Sequence, residues 1–398
     1  MIILGIETSC DETALSIIDA EGSAKKPSFR VFANTVLSQV KIHKKYGGVF
    51  PSLAKREHAK NLIPLFEKTL KEAGYLSEKL KARNERPKLK KEKTVEEILA
   101  REPELYKRFI KFIGTIEKPP IDFIAVTQGP GLEPTLWVGI NFAKALALVW
   151  HIPVIPLNHM EGHIASVLID KIDESKGEKS KVKIKFPILA LLISGGHTEL
   201  VFAKKWHEYE VLGETRDDAV GEAYDKVGRM LGIPYPAGPE ISRLADEGRK
   251  GRGPAFKFPR PMIRSGNLDF SFSGLKTAVL YTLKKIPELT PEIKRAVASE
   301  FENAVVEVFV SKVLKALKKY PAKTLIIGGG VSANKKIREA FKDFAKKNNL
   351  SLLIPRKDLS TDNALMIAMA GFIKISLNPG AAFGEGRDIE ALGNLRLS

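Results

Sequence analysis

Cysteine is almost missing from the chain: Cys10 is the only one in 398 residues. No internal disulfide can form, so stability has to come from burial, and the composition fits a reducing compartment. Long apolar runs are also missing; none reaches the roughly 20 residues that cross a bilayer as a helix. The amino end, Met1-Ile2-Ile3-Leu4-Gly5-Ile6-Glu7-Thr8, has no positive segment ahead of its apolar stretch and meets an acid at Glu7. It reads as a buried first strand and not as a secretory signal, so a cytoplasmic location is expected. Acid is scarce relative to base, with 47 Asp and Glu against 64 Lys and Arg, a formal net charge of +17. That surplus favours an anionic partner, nucleic acid first, although a solvated basic surface has the same composition.

What is present is 44% hydrophobic and 28% charged residues, the proportions of a globular protein, on a chain long enough for two cores. Three β-like runs open it, at residues 2–7, 14–19 and 29–36, with a polar turn between the first two. Helical spacing covers 53–74, with a kink expected at Pro64. Residues 76–118 are dense in Lys, Arg and Glu, and 95–113 has a helical pattern, which predicts an inserted, partly mobile helical arm. A strand at 121–126, a tight turn at Gly129-Pro130-Gly131, a helix at 135–150 and a strand at 153–157 follow. The second half repeats the theme. Strands at 188–194, 198–203 and ending at 213 precede helices at 222–231, 273–283 and 291–317, a strand at 324–327, a helix at 333–346, a short strand at 352–355 and a last helix at 363–377. Two halves of this kind imply a duplicated α/β domain with a cleft between the copies, where ligands sit at strand ends. The expected lobes are 1–157 and 158–362, with 363–398 packing back toward the first.

His159-Met160-Glu161-Gly162-His163 places two imidazoles at i and i+4, on one face of a helix, where they can bind one metal ion. Two surface histidines would have the same spacing. Leu359-Ser360-Thr361-Asp362-Asn363 opens the last helix. Ser360, Thr361 or Asp362 can cap it, and Asp362 can instead be a third ligand, leaving positions open for substrate or water. Ser194-Gly195-Gly196 and Gly328-Gly329-Gly330-Val331-Ser332-Ala333-Asn334 are glycine turns after strands, and the second leads into a helix that can hold an anion. Neither is a Walker A loop, which requires Gly-Lys-Ser/Thr. Glu222, Asp225 and Lys226 share a helix side, where Asp225 can accept hydrogen bonds from ligand hydroxyls or belong to a solvated face. The loop Tyr235-Pro236-Ala237-Gly238-Pro239 follows. Lys44 and Lys45 in a glycine-ended loop, and Arg249, Arg252, Lys257 and Arg260 in a basic loop with aromatics, are candidates for phosphate contact.

Taken in order, these pieces resemble the TsaD family of tRNA N6-adenosine threonylcarbamoyltransferases. The matching stretches include Gly5-Ile6-Glu7-Thr8-Ser9-Cys10-Asp11-Glu12-Thr13, Asn158-His159-Met160-Glu161-Gly162-His163, Ser194-Gly195-Gly196-His197-Thr198, Gly221-Glu222-Ala223-Tyr224-Asp225-Lys226 and Thr361-Asp362-Asn363. The resemblance covers nearly all of the chain except 76–118. Glu133-Pro134 and Ala237 depart from residues common in relatives. It implies an actin-like (ASKHA, RNase H-like) two-lobed fold and transfer of threonylcarbamoyl from threonylcarbamoyl-AMP to tRNA, with TsaB-like and TsaE-like partners and no membrane. It further implies iron or zinc on His159, His163 and Asp362, and Asp11 and Glu12 as catalytic candidates. Contacts to the nucleotide side of the ligand are implied for Leu192, Ile193, Ser194, Gly195, Gly196, Asp225, Gly238 and Asn334. Two alternatives stand beside it, a metalloprotease and a non-catalytic nucleotide-binding scaffold. The protease lacks its base, because Met160 stands where His-Glu-x-x-His needs Glu.

Overall fold

The computed structural model describes residues 1–76, 91–169, 180, 182–251, 254–384, 386 and 388–398. The chain divides into two units. The first is Met1–Ile42, Val49–Lys183 and Asp362–Leu397; the second is His43–Gly48, Ile184–Thr361 and Ser398.

In the first unit β1 (Ile2–Glu7), β2 (Glu12–Ser23) and β3 (Lys26–Ser38) form an antiparallel meander. A single turn, α1 (Val40–His43), precedes α2 (Pro51–Glu72), which is continuous through Pro64. After α3 (Glu92–Ile98) and α4 (Pro103–Ile113), the strand β4 (Phe123–Gly129) pairs parallel with β1. Helix α5 (Glu133–Trp150) carries the chain to β5 (Val154–Asn158), which pairs parallel with β4, and then to α6 (His159–Ala165). The sheet order is β3-β2-β1-β4-β5. With partners on both edges and helices packed on it, β1 is almost wholly buried, which is why it reads as a continuous apolar run.

In the second unit β6 (Ile188–Ile193), β7 (Thr198–Lys205) and β8 (Glu208–Glu214) repeat the antiparallel meander. Helices α7 (Val220–Met230), α8 (Gly238–Lys250), α9 (Ser273–Leu283) and α10 (Pro291–Lys319) lead to β9 (Thr324–Gly328), α11 (Lys335–Lys347) and β10 (Ser351–Leu353). Strand β9 pairs parallel with β6, and β10 parallel with β9. The order β8-β7-β6-β9-β10 therefore repeats that of the first sheet, strand for strand and with the same directions. The last helix, α12 (Ala364–Leu377), belongs to the first unit, where it packs on β1 and β2 and against α6.

Two expectations change. The boundary falls at 183/184 and not at 157/158, because α6 packs on α12 and so stays with the first sheet. Nor are the described parts of 76–118 a loose arm. Val95, Leu99, Leu105, Phe109 and Ile113 are buried in the first core, with the Phe109 ring 6.1 Å from Phe142 of α5. Buried Glu102 accepts a hydrogen bond from Asn141 (3.2 Å) and pairs with Lys55 (3.2 Å). The charge density that marked this segment as an arm sits on the outer faces of two amphipathic helices. Residues 77–90 of the expected arm lie outside the described residues.

Candidate metal centre

Side chains alternate along β1, so Ile3, Gly5 and Glu7 share one face and Leu4 and Ile6 the other. Leu4 and Ile6 enter the core with α2 and α5, leaving Gly5 and Glu7 on the face that α12 covers. Gly5 is required there: a Cβ would lie 2.2 Å from the Ala364 carbonyl oxygen. The first turn of α12 thus rests directly on the strand. Gly162 of α6 faces α12 less tightly, since a Cβ there would meet side-chain atoms, the nearest Ile367 Cδ1 at 2.8 Å.

These two close approaches bring Asp362 to the histidines. His159 Nε2 and His163 Nε2 lie 3.4 and 3.3 Å from Asp362 Oδ1, and the imidazole centroids are 4.7 Å apart. Three ligand atoms, one from each side chain, fall within 4.8 Å of one another. Two donors about 2.1 Å from one ion at a tetrahedral angle stand about 3.4 Å apart, so the spacing suits a divalent metal. His163 supports the fit: it is fully buried, its Nδ1 has no hydrogen-bond partner among the described residues, and its Nε2 faces only Asp362. A buried imidazole without a partner is costly unless something else satisfies it. Asp362 is free to act as a ligand because the cap is Asn363, whose side chain accepts from Met366 N (3.0 Å). Asn158 caps α6 in the same way, accepting from Met160 N (2.8 Å).

All three residues lie in the first unit, although Asp362 follows more than two hundred residues after His159. Burial works against every charge in the cluster. Even so, the Asp362 and Glu7 carboxylates hold His159 well above the ordinary histidine range, and His159 holds Asp362 well below the carboxylate range. His163, with burial dominant, is held down. Two carboxylates facing the imidazoles favour positive charge at this spot.

Sequence reasoning passed over the support behind His159. Glu7 is fully buried, and its carboxylate meets His159 Nδ1 at 3.0 Å, Ser9 N at 2.6 Å and Thr127 Oγ1 at 2.6 Å. The signal was available, since an acid ending an apolar strand is rarely buried without a partner.

The other candidates fall as follows. Asp11 is buried in the turn between β1 and β2, and its carbonyl accepts from Gln39 N (3.0 Å). Burial and the Asp11 charge push Glu12 well up from its ordinary value, while Ser38 donates to it at 3.2 Å. Burial and the same acids push the Cys10 thiol well up, so it is no ready nucleophile. In the second unit Leu192 and Ile193 are buried at the end of β6, and Gly195 and Gly196 form an exposed turn. Asp225 accepts from Ala237 N (2.7 Å), which fixes the loop before Gly238 at the start of α8. Asn334 caps α11 through Oδ1, accepting from Ile337 N at 3.0 Å, and donates to buried Glu302 at 2.6 Å. Lys44, Lys45 and Lys257 are exposed. Arg249 is engaged by Glu302 (2.8 Å) and Asp246, and Arg260 by Glu300 (2.5 Å) and Glu307 (2.8 Å). Arg252 lies outside the described residues.

Comparison with known proteins agrees with this geometry. Residues 30–82 and 103–369 match a model described as TsaD: tRNA N6-adenosine threonylcarbamoyltransferase. The part of the expected arm without a counterpart in that model is thus 83–102, and α4 falls within the match. The chain is 41% identical over 381 residues to the tRNA N6-adenosine threonylcarbamoyltransferase of Paraburkholderia xenovorans (strain LB400), covering 95% of this chain and 94% of that protein. It is 40% identical over 396 residues to the enzyme of the same name from Bacillus cereus (strain ATCC 14579), covering 98% and 97%. The enzyme of that name from Chromobacterium violaceum is also 40% identical, over 388 residues and 96% of each chain. With matches of this length and a histidine–histidine–aspartate set gathered where the motifs placed it, the chain belongs to the TsaD family of tRNA N6-adenosine threonylcarbamoyltransferases.

Proposed function

We propose that this protein transfers the threonylcarbamoyl group of threonylcarbamoyl-AMP to N6 of the adenosine just 3′ of the anticodon, in tRNAs reading codons that begin with A. The observation that carries the reading is the His159, His163 and Asp362 set, both histidines buried, in a chain that matches the family over most of its length. Those three residues would hold the metal, Fe2+ first and Zn2+ as the alternative. When bound, it supplies Lewis-acid polarisation of the carbamoyl carbonyl or a hold on the carboxylate of the threonyl part.

The chain's own groups do the rest. Adenine N6 is a poor nucleophile, so placement of the tRNA base against the activated carbamate dominates the rate. Asp11, buried in the first turn, orients the N6 amine and accepts its proton, with Glu12 beside it. Backbone amides of the Ser194-Gly195-Gly196 turn and the segment around Asn334 hold the AMP phosphate, which departs as an anion. Asp225 and Gly238 serve the nucleoside. The repeated sheet topology is what a duplicated actin-like fold would produce. Exposed Lys44, Lys45 and Lys257 contact tRNA, TsaB-like and TsaE-like proteins assist, and the work takes place in the cytoplasm.

The test supplies purified protein with threonylcarbamoyl-AMP and tRNA and measures modified adenosine, with and without chelator. Transfer that is lost on chelation, restored by Fe2+ or Zn2+ and absent from Asp362→Asn is expected. Transfer untouched by either treatment would remove the metal from the reading.

A further inference from the structure

We infer that Glu7 is a positioning residue for the metal centre, fixing the tautomer and direction of His159 while His163 is left to settle with the ion. The inference rests on the metal reading of His159, His163 and Asp362.

A carboxylate buried at the end of β1 is expensive unless its lone pairs are filled. Glu7 fills them from three sides: Oε1 accepts from Ser9 N (2.6 Å), and Oε2 accepts from Thr127 Oγ1 (2.6 Å) and faces His159 Nδ1 (3.0 Å). An ionised carboxylate only accepts, so Oε2 has one role toward the imidazole, that of acceptor. His159 must therefore carry its proton on Nδ1. Ser9 Oγ, 3.3 Å from Nδ1, can share that N–H. The lone pair of His159 then lies on Nε2, the atom that points at Asp362 from 3.4 Å. A metal ligand that donates its other N–H to a carboxylate is held in orientation and made more basic.

His163 has nothing equivalent. Its Nδ1 has no hydrogen-bond partner among the described residues, so nothing behind the ring fixes it as Glu7 fixes His159. The two histidines are thus unequal ligands, and the inequality comes from Glu7. The same carboxylate ties down Ser9 N, just ahead of Asp11, so the metal ligand and the turn bearing Asp11 share one anchor.

Glu7→Gln keeps the shape and breaks the logic. With its oxygen toward His159 and Thr127, the amide nitrogen meets the Ser9 N–H, donor against donor. Flipped, it donates to His159 Nδ1 and moves the imidazole proton onto Nε2, where the ion must bind. Thr127→Val is milder: it leaves the charge and removes one donor that fixes it.

The experiment titrates metal-free wild type, Glu7→Gln and Thr127→Val with Co2+ against a chelating competitor, and records the visible Co2+ spectrum and the melting of each metal-free protein. Glu7→Gln is expected to bind Co2+ about 10–100-fold more weakly with a shifted spectrum, and Thr127→Val to weaken it less. The metal-free melting temperature of Thr127→Val should stay close to wild type, and that of Glu7→Gln should fall by the cost of its donor clash. Wild-type affinity and spectrum in both variants would overturn the inference while leaving the metal reading intact. If Glu7→Gln does not fold, Thr127→Val decides in the same two directions. A wild type that takes up no Co2+ would overturn the metal reading and this inference with it.

Discussion

The chemistry of the site turns on a few residues whose charge is set by burial. Glu12 shows how directly this couples to stability. Its carboxyl is pushed well up by burial and then by Asp11. A raised folded-state value means that stability is fully present below the unfolded carboxylate value and is lost as pH rises through the folded value. Glu12→Gln cannot ionise and avoids that loss. Its melting temperature should exceed that of wild type at neutral pH and converge with it under acid, as thermal scans across pH would show. If Glu12 assists the reaction, the same variant should lose transfer activity, so stability and activity would move in opposite directions. At the same scale, Asn363→Ala removes the cap of α12 and should cost about 1 kcal/mol in denaturant titrations. It also loosens the segment that carries Asp362, so metal retention should fall with it.

At the scale of elements, the site exists because α12 is pressed against two glycines, Gly5 of β1 and Gly162 of α6. Gly5→Ala would drive a Cβ into the Ala364 carbonyl and push the first turn of α12 off β1. Overpacking of this kind costs typically 1–3 kcal/mol, and the displaced helix takes Asp362 with it. A lower melting temperature together with weaker metal binding is the expected pair of results, and a change in one without the other would contradict the argument. Helices α3 and α4 test a different point. Leu99 and Phe109 are fully buried, so Leu99→Ala should cost about 2–5 and Phe109→Ala about 3–5 kcal/mol, measured by denaturant titration. Losses near zero would restore the picture of a solvated arm.

For the whole molecule, the count of basic residues overstates the free positive surface. Of 64 Lys and Arg, some are engaged internally: Arg249 and Arg260 face carboxylates of α8 and α10. Replacing Lys44 and Lys45 with Ala should lower the slope of log affinity for tRNA against log salt by roughly 1–2, as expected when two phosphate contacts are lost. Arg260→Ala should leave the slope nearly unchanged and lower the melting temperature instead, because Glu300 and Glu307 lose their partner.

Much of this was legible in the chain alone. Alternating and helical periodicity located most strands and helices, though not α8, since each pattern records which side of an element meets the core. The i, i+4 histidines and the duplicated order of elements were visible for the same reason, being local or repeated. Tertiary structure decided the rest. That α6 belongs to the first unit, that Asn363 caps α12 and so releases Asp362, and that Glu7 backs His159 all depend on which surfaces approach closely enough to pack. Gly5 and Gly162 set those approaches, and periodicity does not encode them. The charged stretch around α3 and α4 was misjudged because composition counts charges without saying which way they point. The pairing of His159 with Asp362 joins distant parts of the sequence, and only the seating of α12 on β1 brings their atoms within reach of one ion.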